Sequence, residues 1–255
     1  TLFAMAETIR LLNITDDDIL EFLHRRATWL ATGDESGRLT NHHALNALGV
    51  FMISQTTNDS KLLKSATEIR DRVLSWQTDE GWFPEYGGFD AGYHSFTIGF
   101  LAYLRHLSGD DTFTKPLLNA IDLSAELVAP DGTYGGEFGS RNSYHFLPHG
   151  FELMAPEYGP ARYVADKFLT ALKNGTRSYL DENRTFCHYQ YNFLMSWIDF
   201  ADRENCSNWA PKNGIKKFPT AGIISVRNDT THSIISTKKG GTLKGVVMEV
   251  RPDDK

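Results

Sequence analysis

The sequence predicts a mainly α protein: an incomplete α/α toroid of helical hairpins over residues 1–210, then a short antiparallel β region over 211–255. Three observations carry this. A turn of acid, glycine and aromatic residues recurs as "DEGWF" (79–83) and "PDGTY" (130–134), and more loosely as "DENRTF" (181–186) and "DESGRL" (34–39). Glu80, Asp131 and Glu182 are each 51 residues apart, with Glu35 45 before Glu80, and a nearly fixed period marks a repeated supersecondary unit. The segments between these turns alternate between amphipathic and uniformly apolar, and beyond Pro211 the texture becomes β-branched.

Taken in order, residues 42–55 (Ala44, Leu45, Leu48, Val50, Phe51, Met52) are apolar nearly all round, the mark of a helix buried on most sides. Residues 60–76 follow with Leu62, Ala66, Ile69 and Val73 on one face and Lys64, Glu68 and Arg72 facing away. The pair repeats in 92–107 (Phe96, Ile98, Phe100, Leu101, Leu104) and 115–128, where Leu117, Ala120, Ile121 and Leu127 share a face and Pro116 suits the first turn. Residues 160–174 are a third amphipathic helix, closed by Asn174-Gly175, and 144–155 and 188–202 are further apolar ones, so that each of four units ends, after its turn, on an apolar helix. Apolar helices would line the inside of the ring and amphipathic ones the outside. Four hairpins are fewer than a closed ring needs, so an open arc is expected.

The β region reads as strands at 220–228, 231–239 and 241–250, the last two joined by Gly240-Gly241. Three strands are too few for a sandwich. Either they pack on the helices or the chain stops partway through a larger β domain, and the ragged "RPDDK" favours the second. The start, without Met or a signal-peptide pattern, reads as processed or truncated. Residues 211–255 hold nine Lys/Arg against four Asp/Glu, whereas 1–210 hold 17 against 28, which places a domain boundary near 210. The basic excess is too small and unpatterned for a nucleic-acid binder, and no apolar run is long enough to span a membrane. Cys187 and Cys206 make neither a zinc spacing nor a disulfide framework.

In a toroid, the turns leading into inner helices face the cleft. Three of them carry polar groups of the same kinds: Asn41, His42 and His43; Tyr86, Tyr93 and His94; Glu137, Arg141, Asn142, Tyr144, His145 and His149. Each has a plainer reading. Asn41 is a good helix N-cap. Adjacent histidines 42 and 43 point about 100° apart, so at most one enters a cleft. His145 and His149 stand at the i, i+4 spacing of metal ligands, but Pro148 interrupts the helix and no third ligand follows, so no metal or other cofactor is expected. The tyrosines could be core residues, and Arg141 could pair with Glu137.

"TNHHALNALGVFMIS" (40–54) followed by "FDAGYHSFTIGFLAYL" (89–104) resembles the heparinase II/III-like and alginate-type polysaccharide lyases. The likeness covers most of 30–160 and extends to an α toroid followed by a β-sandwich. It implies β-elimination at a uronic acid, with an acidic polysaccharide or oligosaccharide as substrate. By that similarity Asn41 and His42 hold the uronate carboxylate, Tyr93 protonates the leaving oxygen, and Tyr144 stands in as base. His94, Glu137, Arg141 and His149 would bind substrate. The family draws part of its machinery from the β domain, where this chain offers only His232, so the base is also expected beyond residue 255.

Three other readings compete. A glycoside hydrolase on the same scaffold would use two of Glu85, Asp90 and Glu137 as paired carboxylates. "QTDEGW" (77–82) matches the QxxxGW repeat of terpenoid cyclases, but without their DxDD-like acids. The non-enzymatic alternative is a toroid that binds glycan or protein.

Overall fold

The computed structural model describes residues 2–33, 37–176, 183–238 and 241–247, with the backbone alone over 183–188. The repeat copies at 34–36 and 181–182, the side chain of Cys187, Gly240 and the "RPDDK" end lie outside the described residues. Among those described, the chain is mainly helical with one small antiparallel sheet. The helices are α1 (Leu2–Leu12), α2 (Asp17–Thr32), α3 (Thr40–Thr57), α4 (Ser60–Ser75), α5 (Ala91–Ser108), α6 (Thr114–Leu127), α7 (His149–Met154), α8 (Gly159–Asn174) and α9 (Asn183–Ile198). The strands are β1 (Gly214–Phe218), β2 (Ile223–Arg227), β3 (Thr231–Ser236) and β4 (Thr242–Val247).

Local chemistry sets the helix ends. The side chains of Asp16, Asp59 and Asp90 accept from backbone N–H groups in the first turns of α2, α4 and α5. Left-handed Asn58, Gly109 and Gly175 close α3, α5 and α8. The amphipathic α4 buries Leu62, Ala66, Ile69 and Val73, each worth up to about 2 kcal/mol, while its polar face carries the exposed Lys64–Glu68 pair.

Packing sorts the helices into two rows. Helices α3, α5, α7 and α9 each pack against the next, with α4, α6 and α8 outside them and α2 laid on α3 and α4. Helices α3 and α5, both apolar nearly all round, are largely buried, as is the short α7. Helix α1 packs on α3 and reaches further, since Phe3 meets Phe100 and Tyr103 of α5 and Tyr191 of α9 edge-on. Helices α5 and α7 come together at Gly99 and Gly150, where a Cβ on Gly150 would stand 2.7 Å from the Gly99 Cα.

The sheet is a meander, β1-β2-β3-β4, with Lys217 opposite Ile224 and Ile224 opposite Ile235. Its inward face (Ile223, Ser225, His232, Ile234, Ser236) lies on the helices, and Ile223 and Ile234 belong to the same hydrophobic core as α3 and α5. The described strands thus pack on the helical body. The Glu80 carboxylate accepts the backbone N–H groups of Thr220 and Ala221 (2.8 and 3.0 Å), and Trp82 Nε1 donates to Thr220 Oγ1 (2.9 Å). This copy of the turn thus fastens the helical body to the sheet. Gly81 is needed there: its φ is +87°, and a Cβ would lie 2.4 Å from the Asn119 carbonyl oxygen.

Two expectations need correction. The helix read at 144–155 is only His149–Met154, because the residue before a proline is driven out of the helical region and Pro148 sits at the N-cap of α7. Strand β1 adds a fourth, lysine-bearing edge strand that sequence patterning passed over.

Candidate active site

Thr40 and Asn41 open α3 beside the turn that leads into α5. Thr40 Oγ1 donates to the Pro84 carbonyl (2.6 Å). Asn41 gives both its backbone N–H and its side-chain Nδ2 to the two oxygens of Glu85, at 2.6 and 2.9 Å. Glu85 is fully buried, and burial pushes its carboxyl up to about 7 against the downward pull of the two Asn41 donors and the His42 ring. Asn41 is therefore held by its side chain rather than serving as a simple N-cap. Of the two histidines, His43 is buried edge-on against Trp76, while the half-buried His42 acts electrostatically on Glu85.

Residues 85–88 form a tight hairpin closed by reciprocal backbone bonds between Glu85 and Gly88 (2.8 and 3.1 Å). Its central pair, Tyr86 and Gly87, both have positive φ (+49° and +79°). Asp90, also fully buried, caps α5 through Tyr93 N–H and accepts from Arg141 N–H (2.9 Å) and the Ser143 hydroxyl. Asp90 thereby fastens residues 141–143 to the start of α5.

Around Tyr93 these segments bring five side chains together. The Tyr93 ring lies 5.1 Å from that of Tyr86 and 5.5 Å from that of His145. The Arg141 guanidinium stands 4.4 Å over the Tyr86 ring, and His145 Nδ1 is hydrogen-bonded to the buried Tyr189 hydroxyl of α9. Burial, then the neighbouring Tyr86 phenol, hold the Tyr93 hydroxyl above the ordinary tyrosine range, while Arg141 pulls it down. Tyr93 is thus a protonated group at neutral pH with a cation nearby.

Other expected site residues are placed elsewhere. Tyr144 is exposed, its ring against Gly136 and 5.3 Å from Lys244 Nζ of β4. The cause is the extended run before Pro148, in which neighbours point to opposite sides: Ser143 and His145 turn toward α5, Tyr144 away. His94 is fully buried, Nε2 facing the Ala120 carbonyl (3.1 Å), and burial drives it down to about 4, so it stays neutral between α5 and α6. His149 is buried against Tyr103 and pairs with Asp199 (2.7 Å), in a second polar cluster with Glu7 and Arg10. Glu137 is exposed, and among the described residues its carboxylate forms no ion pair with Arg141. His232 is buried against Ser225 and Arg227. Sequence reasoning placed His145 among the cleft-facing polar groups but gave it no catalytic role, and it missed Tyr189, whose residue type in an apolar helix gave no signal.

Two hollows lie apart from this cluster. One, about 450 Å³, is an apolar groove lined by Phe3, Phe22, Trp29 and Leu45. The other, about 620 Å³, is lined by Asp79, Glu80, Asp122, Glu126 and Glu157 with Lys216. The first has few polar groups and the second would repel an anion, so neither supplies the convergent chemistry found around Tyr93. Among the described residues, no group of His, Cys, Asp and Glu is arranged to hold a metal, and no helix is long and apolar enough to cross a membrane. In comparisons with known proteins, the chain matches no family model, no curated protein and no solved structure.

Proposed function

We propose that the protein is a polysaccharide lyase that cleaves uronic-acid-containing glycans by β-elimination, its two helix rows forming an arc of an α/α toroid. One observation carries the reading: Tyr93, Arg141 and the His145–Tyr189 pair converge at the start of α5, next to the Asn41–Glu85 pair. Elimination needs such a set. The uronate carboxylate must be held by donors so that its C5 proton becomes acidic, a role for His42 and the Arg141 guanidinium, while Asn41 gives its N–H and Nδ2 to Glu85 and holds that turn in place. A base then removes that proton, and an acid protonates the departing glycosidic oxygen as the C4–C5 double bond forms.

Tyr93 suits the acid, since its raised phenol keeps its proton at neutral pH. His145 takes the place of Tyr144 as the proposed base, its ring oriented beside Tyr93 by the hydrogen bond between Nδ1 and the Tyr189 hydroxyl. The hydrolase alternative loses its best carboxylates. Both Glu85 and Asp90 are fully buried and accept from Asn41 and from the 141–143 backbone, so neither offers an oxygen to an anomeric carbon.

The test is incubation of the protein with alginate, heparan and glucuronan. A lyase leaves an unsaturated uronate that absorbs in the ultraviolet, and one of these polymers should yield it. New reducing ends without absorbance would mean hydrolysis, and no product from any of them would count against the lyase reading and favour a binding role.

A further inference from the structure

The Tyr86-Gly87 turn breaks a local rule. Two-residue hairpins with positive φ at both central positions strongly favour Asn-Gly, Asp-Gly or Gly-Gly, because a bulky side chain is strained there. Here a tyrosine occupies the first position at φ +49°. Strain of this kind persists where the surroundings enforce it, and the surroundings of Tyr86 are specific. One side of its half-buried ring meets Tyr93. The exposed Arg141 guanidinium stacks on it at 4.4 Å. Among the described residues Arg141 forms no ion pair with a carboxylate, and its backbone is tied to the start of α5 through Asp90. An unpaired cation, held on an aromatic face within electrostatic range of the Tyr93 phenol, is a receptor for a planar anion.

We propose that Tyr86 is a positioning residue whose ring is the platform holding the Arg141 guanidinium beside Tyr93, where it receives the carboxylate of an acidic sugar. The inference rests on the lyase reading for its catalytic meaning, though the platform itself is independent of turnover. An asparagine in this place accepts positive φ but offers no ring, whereas phenylalanine keeps the ring and lacks only the hydroxyl. Tyr86→Asn therefore relieves the backbone while removing the platform, and Tyr86→Phe should restore it.

The experiment is ¹⁵N relaxation and titration of the Arg141 Nε–H by NMR, with glucuronic acid and glucose as probes. In the parent protein Arg141 Nε should be ordered and should shift with glucuronate but not with glucose. In Tyr86→Asn it should become mobile and need about tenfold more glucuronate or more, without a lower melting temperature, and Tyr86→Phe should recover both order and binding. Arg141 staying ordered in Tyr86→Asn, or ignoring glucuronate in the parent, overturns the proposal. Failure of the lyase reading looks different: Arg141 responds to glucuronate as expected, yet the parent eliminates nothing from any polyuronate.

Discussion

The substitution Glu85→Gln tests how the start of α3 is held. Burial raises the Glu85 carboxyl from an ordinary 4.5 to about 7. A carboxyl with a raised folded-state pKa keeps its proton in the folded chain after the unfolded chain has lost it. Its contribution is therefore fully present below about pH 4.5 and is lost as pH rises through about 7. The difference corresponds to about 3 kcal/mol of stability over that window. A glutamine side chain does not titrate, so the variant should lack this slope. It carries a constant penalty instead, because its amide N–H₂ must face one of the two Asn41 donors. Urea unfolding of both proteins at steps from pH 5 to 8 separates the two effects. The stability difference should shift in favour of the variant by about 2–3 kcal/mol as pH rises, or several degrees in melting temperature for a chain of this size. His42 and Asp90 face Glu85 and shape the curve, but they remain in both proteins. Parallel pH profiles would refute the assignment of a protonatable, buried Glu85.

Other consequences follow from single contacts. Gly81→Ala should destabilise the protein by about 2–3 kcal/mol in chemical denaturation, since positive φ and the Asn119 carbonyl both oppose a Cβ. Glu80→Ala removes the acceptor of the Thr220 and Ala221 amides, so their hydrogen exchange should accelerate before that of β2, with a cost of about 1–2 kcal/mol. His145→Ala should cut elimination by roughly 10²–10⁴-fold, as loss of a general base does, while Tyr144→Phe should leave the rate within about twofold. Equal losses in the two would return Tyr144 to the site.

Much of the helical body could be read from sequence because α4, α6 and α8 are amphipathic, α3 and α5 are long and apolar nearly all round, and Asp59, Asp90, Gly109 and Gly175 mark ends of α4, α5 and α8. The period of the "EGW" turn likewise gave its structural role, which the Glu80 contacts to β1–β2 explain. Helices α1 and α2 went unread because they precede the first copy of the turn and belong to no hairpin of the repeat. Strand β1 was hidden by Lys216 and Lys217, which are tolerated because β1 is an edge with exposed side chains. In the candidate site, Asn41, Tyr93 and Arg141 were legible as polar residues at helix entries. Which of Tyr144 and His145 turns inward was not, since it depends on a period of two imposed by Pro148. Nor was the burial of His94 and His149, which is set by contacts with α6 and with Tyr103 and Asp199 far along the chain.

The most direct test of the account asks what Tyr93 does. Elimination by the parent and by Tyr93→Phe is compared on a uronate carrying a glycosidic oxygen at C4 and on one carrying fluoride, which departs without protonation. If Tyr93 is the acid, the substitution should slow the glycosidic substrate by about 10²–10⁴-fold and the fluoride far less, with ultraviolet-absorbing product in both. Equal losses on the two substrates would mean that Tyr93 does not protonate the leaving group.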